Sequence, residues 1–161
     1  GVGSGAILLS ILKEKKGFLG TGIDISNNCL NVCKNNAYKL GVYERIKLFK
    51  SNIDNFSNGK YDLIISNPPY IKKLDLKKLD KDVKDFEPKI ALNGGLDGLS
   101  EIRKVIKKST ELIKKNGKLI IEIAFNQKKE VKKILKDNGF YIIAVIKDLA
   151  KNDRCIISKK I

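Results

Sequence analysis

The apolar run Tyr61-Asp62-Leu63-Ile64-Ile65-Ser66 ends in Asn67-Pro68-Pro69-Tyr70, and that junction constrains the chain more than any other stretch. Neither proline can donate a backbone hydrogen bond and each holds φ at about −65°, so a strand cannot continue through them. The spacing predicts a strand over 61–66 that stops abruptly, then a rigid turn projecting Asn67 and Tyr70 from its carboxyl end. In open α/β sheets that end is where ligands bind.

The turn has the chemistry to hold a planar amide or amine. The Asn67 side-chain oxygen and the Pro68 backbone carbonyl can accept both hydrogens of an –NH2 group while the Tyr70 ring packs on its flat face. Such a nitrogen is a poor nucleophile, but orientation beside an activated methyl donor makes a bimolecular displacement effectively unimolecular. A bare proline turn would need neither the asparagine nor the aromatic.

Gly1-Val2-Gly3-Ser4-Gly5 enters the apolar helix Ala6–Leu12, which runs into Lys13-Glu14-Lys15-Lys16 and stops at Gly17. Glycines there let backbone approach a ligand, and the helix N-terminus presents free N–H groups. The strand Phe18–Ile23 delivers Asp24 at its tip, where a carboxylate can accept from both hydroxyls of a ribose. The pair points to a nucleoside-type cofactor. The loop holds no G-K-[ST] sequence and the Asn-Pro-Pro-Tyr turn has no part in nicotinamide chemistry, so the donor is read as S-adenosylmethionine.

The remaining pattern alternates strands with helices. Ser26 caps a helix with Leu30, Cys33, Ala37 and Leu40 on one face and Gly41 as its stop. A strand follows over Arg45–Lys50. Residues 71–99 are charged and turn-rich, and long connections of this kind in compact domains are usually functional. Next come a helix over Ser100–Lys115, a strand over Lys118–Ala124, a helix over Gln127–Asn138 ended by Gly139, and strands over Phe140–Ile146 and Cys155–Ser158. The last two are joined by too short a connection for a crossover helix and so pair antiparallel. The expected fold is α/β, a doubly wound, mostly parallel sheet in a single domain spanning 1–161. A glycine loop of this type follows a strand, and the chain begins just past the place for it; the sequence reads as a fragment lacking the first strand of its sheet.

Composition narrows the partners less. Lys and Arg number 33 against 18 Asp and Glu, a net charge of +15, but only Arg45, Arg103 and Arg154 are arginines. Arginine is the preferred fork for phosphates and guanine edges, and the Lys, Asn and Ile richness has the look of codon bias, so a nucleic acid is neither required nor excluded. No long apolar run suggests a membrane span. Cys29, Cys33 and Cys155 are too sparse, without any histidine, to hold a metal; they read as buried or half-buried thiols of a reducing, cytoplasmic setting, or an organellar one in a eukaryote.

Taken together, Gly1-Val2-Gly3-Ser4-Gly5-Ala6-Ile7, Asp24, Ser66-Asn67-Pro68-Pro69-Tyr70-Ile71, Phe86-Glu87-Pro88-Lys89-Ile90-Ala91-Leu92 and Gly94-Gly95-Leu96-Asp97-Gly98 resemble the HemK/PrmC release-factor glutamine methyltransferases, as does the late Asn152-Asp153-Arg154. The resemblance implies a seven-stranded-type methyltransferase sheet. It implies methyl transfer from S-adenosylmethionine to the amide nitrogen of the glutamine in the Gly-Gly-Gln motif of peptide-chain release factors. By the same resemblance Gly1, Gly3 and Gly5 approach the methionine part of the cofactor, Asp24 holds its ribose, and Asn52 and Ile53 flank its adenine. Asn67 stands at the meeting of cofactor and substrate. With Pro68 it grips the glutamine amide, Tyr70 packs on that amide, and Pro69, Phe86, Glu87 and Pro88 help wall the pocket. The family commonly has aspartate where this chain has Asn52. Its N-terminal helical domain is not among these residues. A methyltransferase acting on the exocyclic amine of a nucleic-acid base would use the same turn, and a non-catalytic module docking the ribosome through its lysines is the alternative of another class.

Overall fold

The computed structural model describes residues 1–75 and 92–161, which form two compact units, Gly1–Phe56 and Ser57–Ile161. In the first unit, α1 (Ala6–Glu14), β1 (Gly20–Asp24), α2 (Asn27–Lys39) and β2 (Ile46–Lys50) follow one another, with a 3-10 turn at Tyr43–Arg45. β1 and β2 pair in parallel from Gly20 opposite Ile46 to Asp24 opposite Lys50. Ser26 caps α2 by accepting from the Cys29 N–H at 3.3 Å. The helices bury Leu9, Leu12, Cys33 and Ala37 with Val42 in one cluster, against which Val2, Ile46 and Leu48 pack. Leu40, expected on the buried face, is 38% exposed because it lies one residue past the helix, just before the left-handed Gly41.

Arg45 closes the carboxyl end of α1. Its guanidinium donates to the Leu12 carbonyl (2.7 Å), one that the helix end leaves without a partner, and to the carbonyls of Lys15 (3.0 Å), Lys16 (3.1 Å) and Phe18 (3.2 Å) in the turn that follows. β1 accordingly starts at Gly20, later than the apolar Phe18 and Leu19 suggest.

The second unit contains β3 (Tyr61–Ser66), α3 (Ser100–Leu112), β4 (Ile113–Glu122), α4 (Lys128–Asp137), β5 (Phe140–Lys147) and β6 (Asp153–Lys160). Its sheet has the order β3-β4-β6-β5, parallel between β3 and β4 and antiparallel for the last two pairings. The antiparallel ending is the one the short β5–β6 connection demands. α3 packs on β3, β4 and α4, and α4 on β5 and β6. Ile102, Val105, Ile106 and Leu112 of α3, Leu119 and Ile121 of β4, Val131 and Leu135 of α4, and Ile156 of β6 are buried. α3 is shorter than its periodicity predicts. Asn116 has φ 66°, and at Gly117 a Cβ would lie 2.7 Å from Ile113 Cγ1 and 2.9 Å from the Lys114 carbonyl. The backbone turns sharply here, and the β3–β4 register shifts between Tyr61 and Leu63.

Candidate active site

In the first unit the candidate cofactor residues gather at one end of the parallel pair. The Val2 N–H donates to the Ile23 carbonyl at 2.8 Å, which fastens the glycine turn to β1. Asp24 is buried, its Oδ2 accepting from the Gly3 N–H and its Oδ1 from the Ser26 N–H, each at 2.9 Å. One carboxylate therefore ties the turn to the start of α2, and each oxygen keeps a lone pair for a further donor. Gly3 (φ 57°) and Gly5 (φ 84°) adopt the left-handed backbone that favours glycine. At Gly5 packing adds its own demand, since a Cβ would come within 2.6 Å of Cys33 Sγ; at Gly1 and Gly3 it would meet nothing within 4 Å. Bare backbone thus faces open space beside Asp24. Asn52 follows β2, is exposed, and its Oδ1 accepts from the Asn55 N–H at 2.8 Å; Ile53 is half-buried.

In the second unit β3 ends at Ser66, so Asn67 begins the turn as the sequence requires. Asn67 is exposed, Pro68 buried, and Pro69 and Tyr70 half-buried. The Tyr70 hydroxyl donates to Glu122 Oε1 at 3.2 Å, the last residue of β4. Burial first, then the Glu122 charge, push the Tyr70 phenol above its ordinary value, while the Arg154 guanidinium opposes them. Arg154 is itself held by Asp148, Nη2 to Oδ2 at 2.9 Å. Glu122→Gln is expected to lower the Tyr70 pKa, because the carboxylate charge that disfavours the phenolate is removed. Ultraviolet difference titration, with Tyr70→Phe to identify the signal, checks this; an upward shift would contradict it.

The segment after Tyr70 is fastened to the glycine-rich stretch far along the chain. Ile71 bridges Asn93 in parallel, the Gly94 N–H donates to the Ile71 carbonyl at 2.8 Å, and the Lys73 N–H to the Gly95 carbonyl at 2.9 Å. A Cβ at Gly94 would sit 2.8 Å from Tyr70 Cα, and one at Gly98 (φ 77°) 2.5 Å from the Tyr70 carbonyl oxygen. Gln127 completes the assembly. Its Nε2 donates to the carbonyls of Tyr70 (3.2 Å) and Gly98 (3.0 Å), and its Oε1 accepts from the Ala124 N–H (3.0 Å).

Asp97 orders the same loop. The Arg103 guanidinium at 2.7 Å and the Leu99 N–H at 3.0 Å hold its carboxyl below the ordinary aspartate value. A depressed carboxylate contributes its stability in full above the unfolded-state pKa and loses it as the pH falls through the folded-state value. Asp97→Asn is therefore expected to flatten the acid side of the stability profile, measured by thermal melts from neutral to acid pH. An unchanged acid limb would count against this pairing.

Sequence reasoning placed the Asn-Pro-Pro-Tyr turn, Asp24 and the glycine turn but missed Glu122 and Gln127. A lone carboxylate near the carboxyl end of the apolar run Leu119–Ile123 was the available signal for Glu122. Phe86, Glu87 and Pro88 lie outside the described residues.

Comparison with known proteins gives likeness in sequence and in fold. A family model described as RMKL-like, methyltransferase domain (UPF0020) matches residues 11–89. The release factor glutamine methyltransferase of Fusobacterium nucleatum subsp. nucleatum is 41% identical over 99% of the chain and 46% of its own length. That of Clostridium acetobutylicum is 39% identical over 97% of the chain and 56% of its own length. Over nearly its whole length the chain is similar to these release factor glutamine methyltransferases. It spans about half the length of these relatives. Among solved structures, the ribosomal protein L11 methylase of Lactobacillus delbrueckii subsp. bulgaricus superposes with a TM-score of 0.71 at 20% identity, over 100% of this chain and 67% of that one. A methyltransferase from Pyrococcus furiosus gives 0.72 at 16% identity, over 99% and 72%. At those identities the likeness is one of fold, and the fold is that of a methyltransferase. No helix among the described residues of this chain is long and apolar enough to cross a membrane.

Proposed function

We propose that the protein containing this chain methylates the side-chain amide nitrogen of a glutamine, that of the Gly-Gly-Gln motif in a peptide-chain release factor, with S-adenosylmethionine as donor. The observation that carries this reading is the Asn67–Tyr70 turn at the carboxyl end of β3, braced from behind by Gly94, Gly98 and Gln127. In this reading Gly1, Gly3, Gly5, Asp24, Asn52 and Ile53 hold the cofactor. The bare backbone beside the Asp24 carboxylate suits a methionine chain and a ribose. When bound, S-adenosylmethionine supplies an electrophilic methyl group on a sulfonium centre.

The chain's own residues do the positioning. Asn67 Oδ1 and the Pro68 carbonyl accept the two amide hydrogens, which fixes the nitrogen and leaves its face free. Tyr70, with its hydroxyl on Glu122, presents a ring that cannot swing away. The rate gain comes from orientation and from keeping water out, and the released proton needs no dedicated base because it leaves after the nitrogen has been alkylated.

The exocyclic amine of a nucleic-acid base offers the same two hydrogens to the same turn. Incubating the full-length protein with labelled cofactor, a release factor and a nucleic acid together separates the readings. Label is expected on the release-factor glutamine and lost with a Gln→Ala change in its Gly-Gly-Gln motif. Label on nucleic acid alone would overturn the proposal.

A further inference from the structure

One face of α4 carries four lysines and, at its carboxyl end, a single acid, Asp137. Lys129, Lys132, Lys133 and Lys136 recur at helical spacing and share that face, opposite the buried Val131 and Leu135. With Phe125 they line a groove of about 650 Å³. Lys128, at its edge, is paired with Asp153 at 3.0 Å. The other four lysines make no hydrogen bond or ion pair among the described residues. α3 is built differently: Lys104 pairs with Glu101, Lys108 with Glu111 and Arg103 with Asp97. Like charges at i,i+4, as in Lys129/Lys133 and Lys132/Lys136, destabilise a helix. The helix therefore carries a repulsion that a polyanion laid along it would relieve.

We infer that this groove binds single-stranded nucleic acid, the lysines following its phosphates and Phe125, 63% exposed at the groove, stacking on a base. A cationic groove with an aromatic platform is how sequence-tolerant single-strand binding is built. Lysine point charges without an arginine fork suit backbone contact without base reading. The stripe from Lys129 to Lys136 runs about 10 Å along the helix, enough to follow a strand. An anionic membrane is the poorer fit, because the apolar side of α4 is committed to the core and cannot insert. This groove begins beside Gln127 but is lined by none of the residues of the Asn67–Tyr70 turn, and it does not depend on the methyl-transfer reading.

Fluorescence anisotropy of full-length protein with labelled oligouridylate and oligothymidylate, across a series of salt concentrations, tests it. The variant with Lys129→Gln, Lys132→Gln, Lys133→Gln and Lys136→Gln is expected to bind about tenfold more weakly or worse, and to lose about 3 from the slope of log K against log salt, roughly 0.7 for each phosphate released. Phe125→Ala is expected to weaken binding about fivefold with the slope unchanged. Preference between the two oligonucleotides identifies the natural strand as RNA or DNA. Both variants are expected to melt no lower than the parent and to transfer methyl groups to an isolated protein acceptor at the parental rate. Absence of binding to either oligonucleotide would overturn the inference. So would an equal loss when the exposed Lys15, Lys16, Lys39 and Lys47 are changed to glutamine instead, or equally tight binding of polyglutamate or anionic vesicles.

Discussion

Asn67→Ala in the full-length protein is expected to cut the rate of methyl transfer about a hundredfold or more while S-adenosylmethionine affinity stays within several-fold. The side chain is exposed at the end of β3, so its removal opens no cavity and the fold should survive. What disappears is the acceptor for one hydrogen of the substrate amide, and with it the orientation on which the proposed reaction depends. Asn67→Asp is a sharper companion: it keeps an acceptor oxygen but adds a negative charge, so only a partial recovery is expected. A tritiated-methyl assay run beside calorimetry separates the effects on turnover and on binding. Undiminished transfer by Asn67→Ala would remove Asn67 from the role of amide clamp.

Gln127→Leu is expected to destabilise the protein by about 2–4 kcal/mol, since it strands three backbone groups at once. The carbonyls of Tyr70 and Gly98 and the N–H of Ala124 all depend on this one buried amide. Gln127→Glu should do no better; a carboxylate can still accept from Ala124 but has nothing to donate to two carbonyls. Denaturant unfolding measures the cost, and activity assayed well below the melting transition shows whether the turn has also moved. A loss under about 1 kcal/mol for Gln127→Leu would mean that solvent replaces these bonds easily.

What the sequence revealed follows how far each physical signal reaches. β3 was legible to the residue because two prolines end it from within, and α2 because Ser26 and Gly41 bracket it. The end of α3 was not. Lys114 and Lys115 suit a helix, but the pairing of Tyr61 with Ile113 and the tight packing around Gly117 claim those residues for β4, and neither is visible from within the segment. The site divides in the same way. Asn67, Tyr70 and Asp24 announce themselves through a motif. Glu122 and Gln127 act across long separations on groups that carry no side-chain signature, Tyr70's hydroxyl apart, and only the folded arrangement brings them together. The overall charge was likewise uninformative, whereas the ion-paired Lys104 and Lys108 of α3 against the unpaired lysine stripe of α4 distinguish one surface from another.

The bridge between Ile71 and Asn93, with the Gly94–Ile71 and Lys73–Gly95 bonds beside it, brings two distant points of the chain together at the base of the turn. The Ile71 carbonyl and the Lys73 N–H thus tie the turn to Gly94 and Gly95. Loop-closure entropy rises by only about 0.6 kcal/mol for each doubling of separation along the chain, so a staple between such distant points costs little more than one between near neighbours.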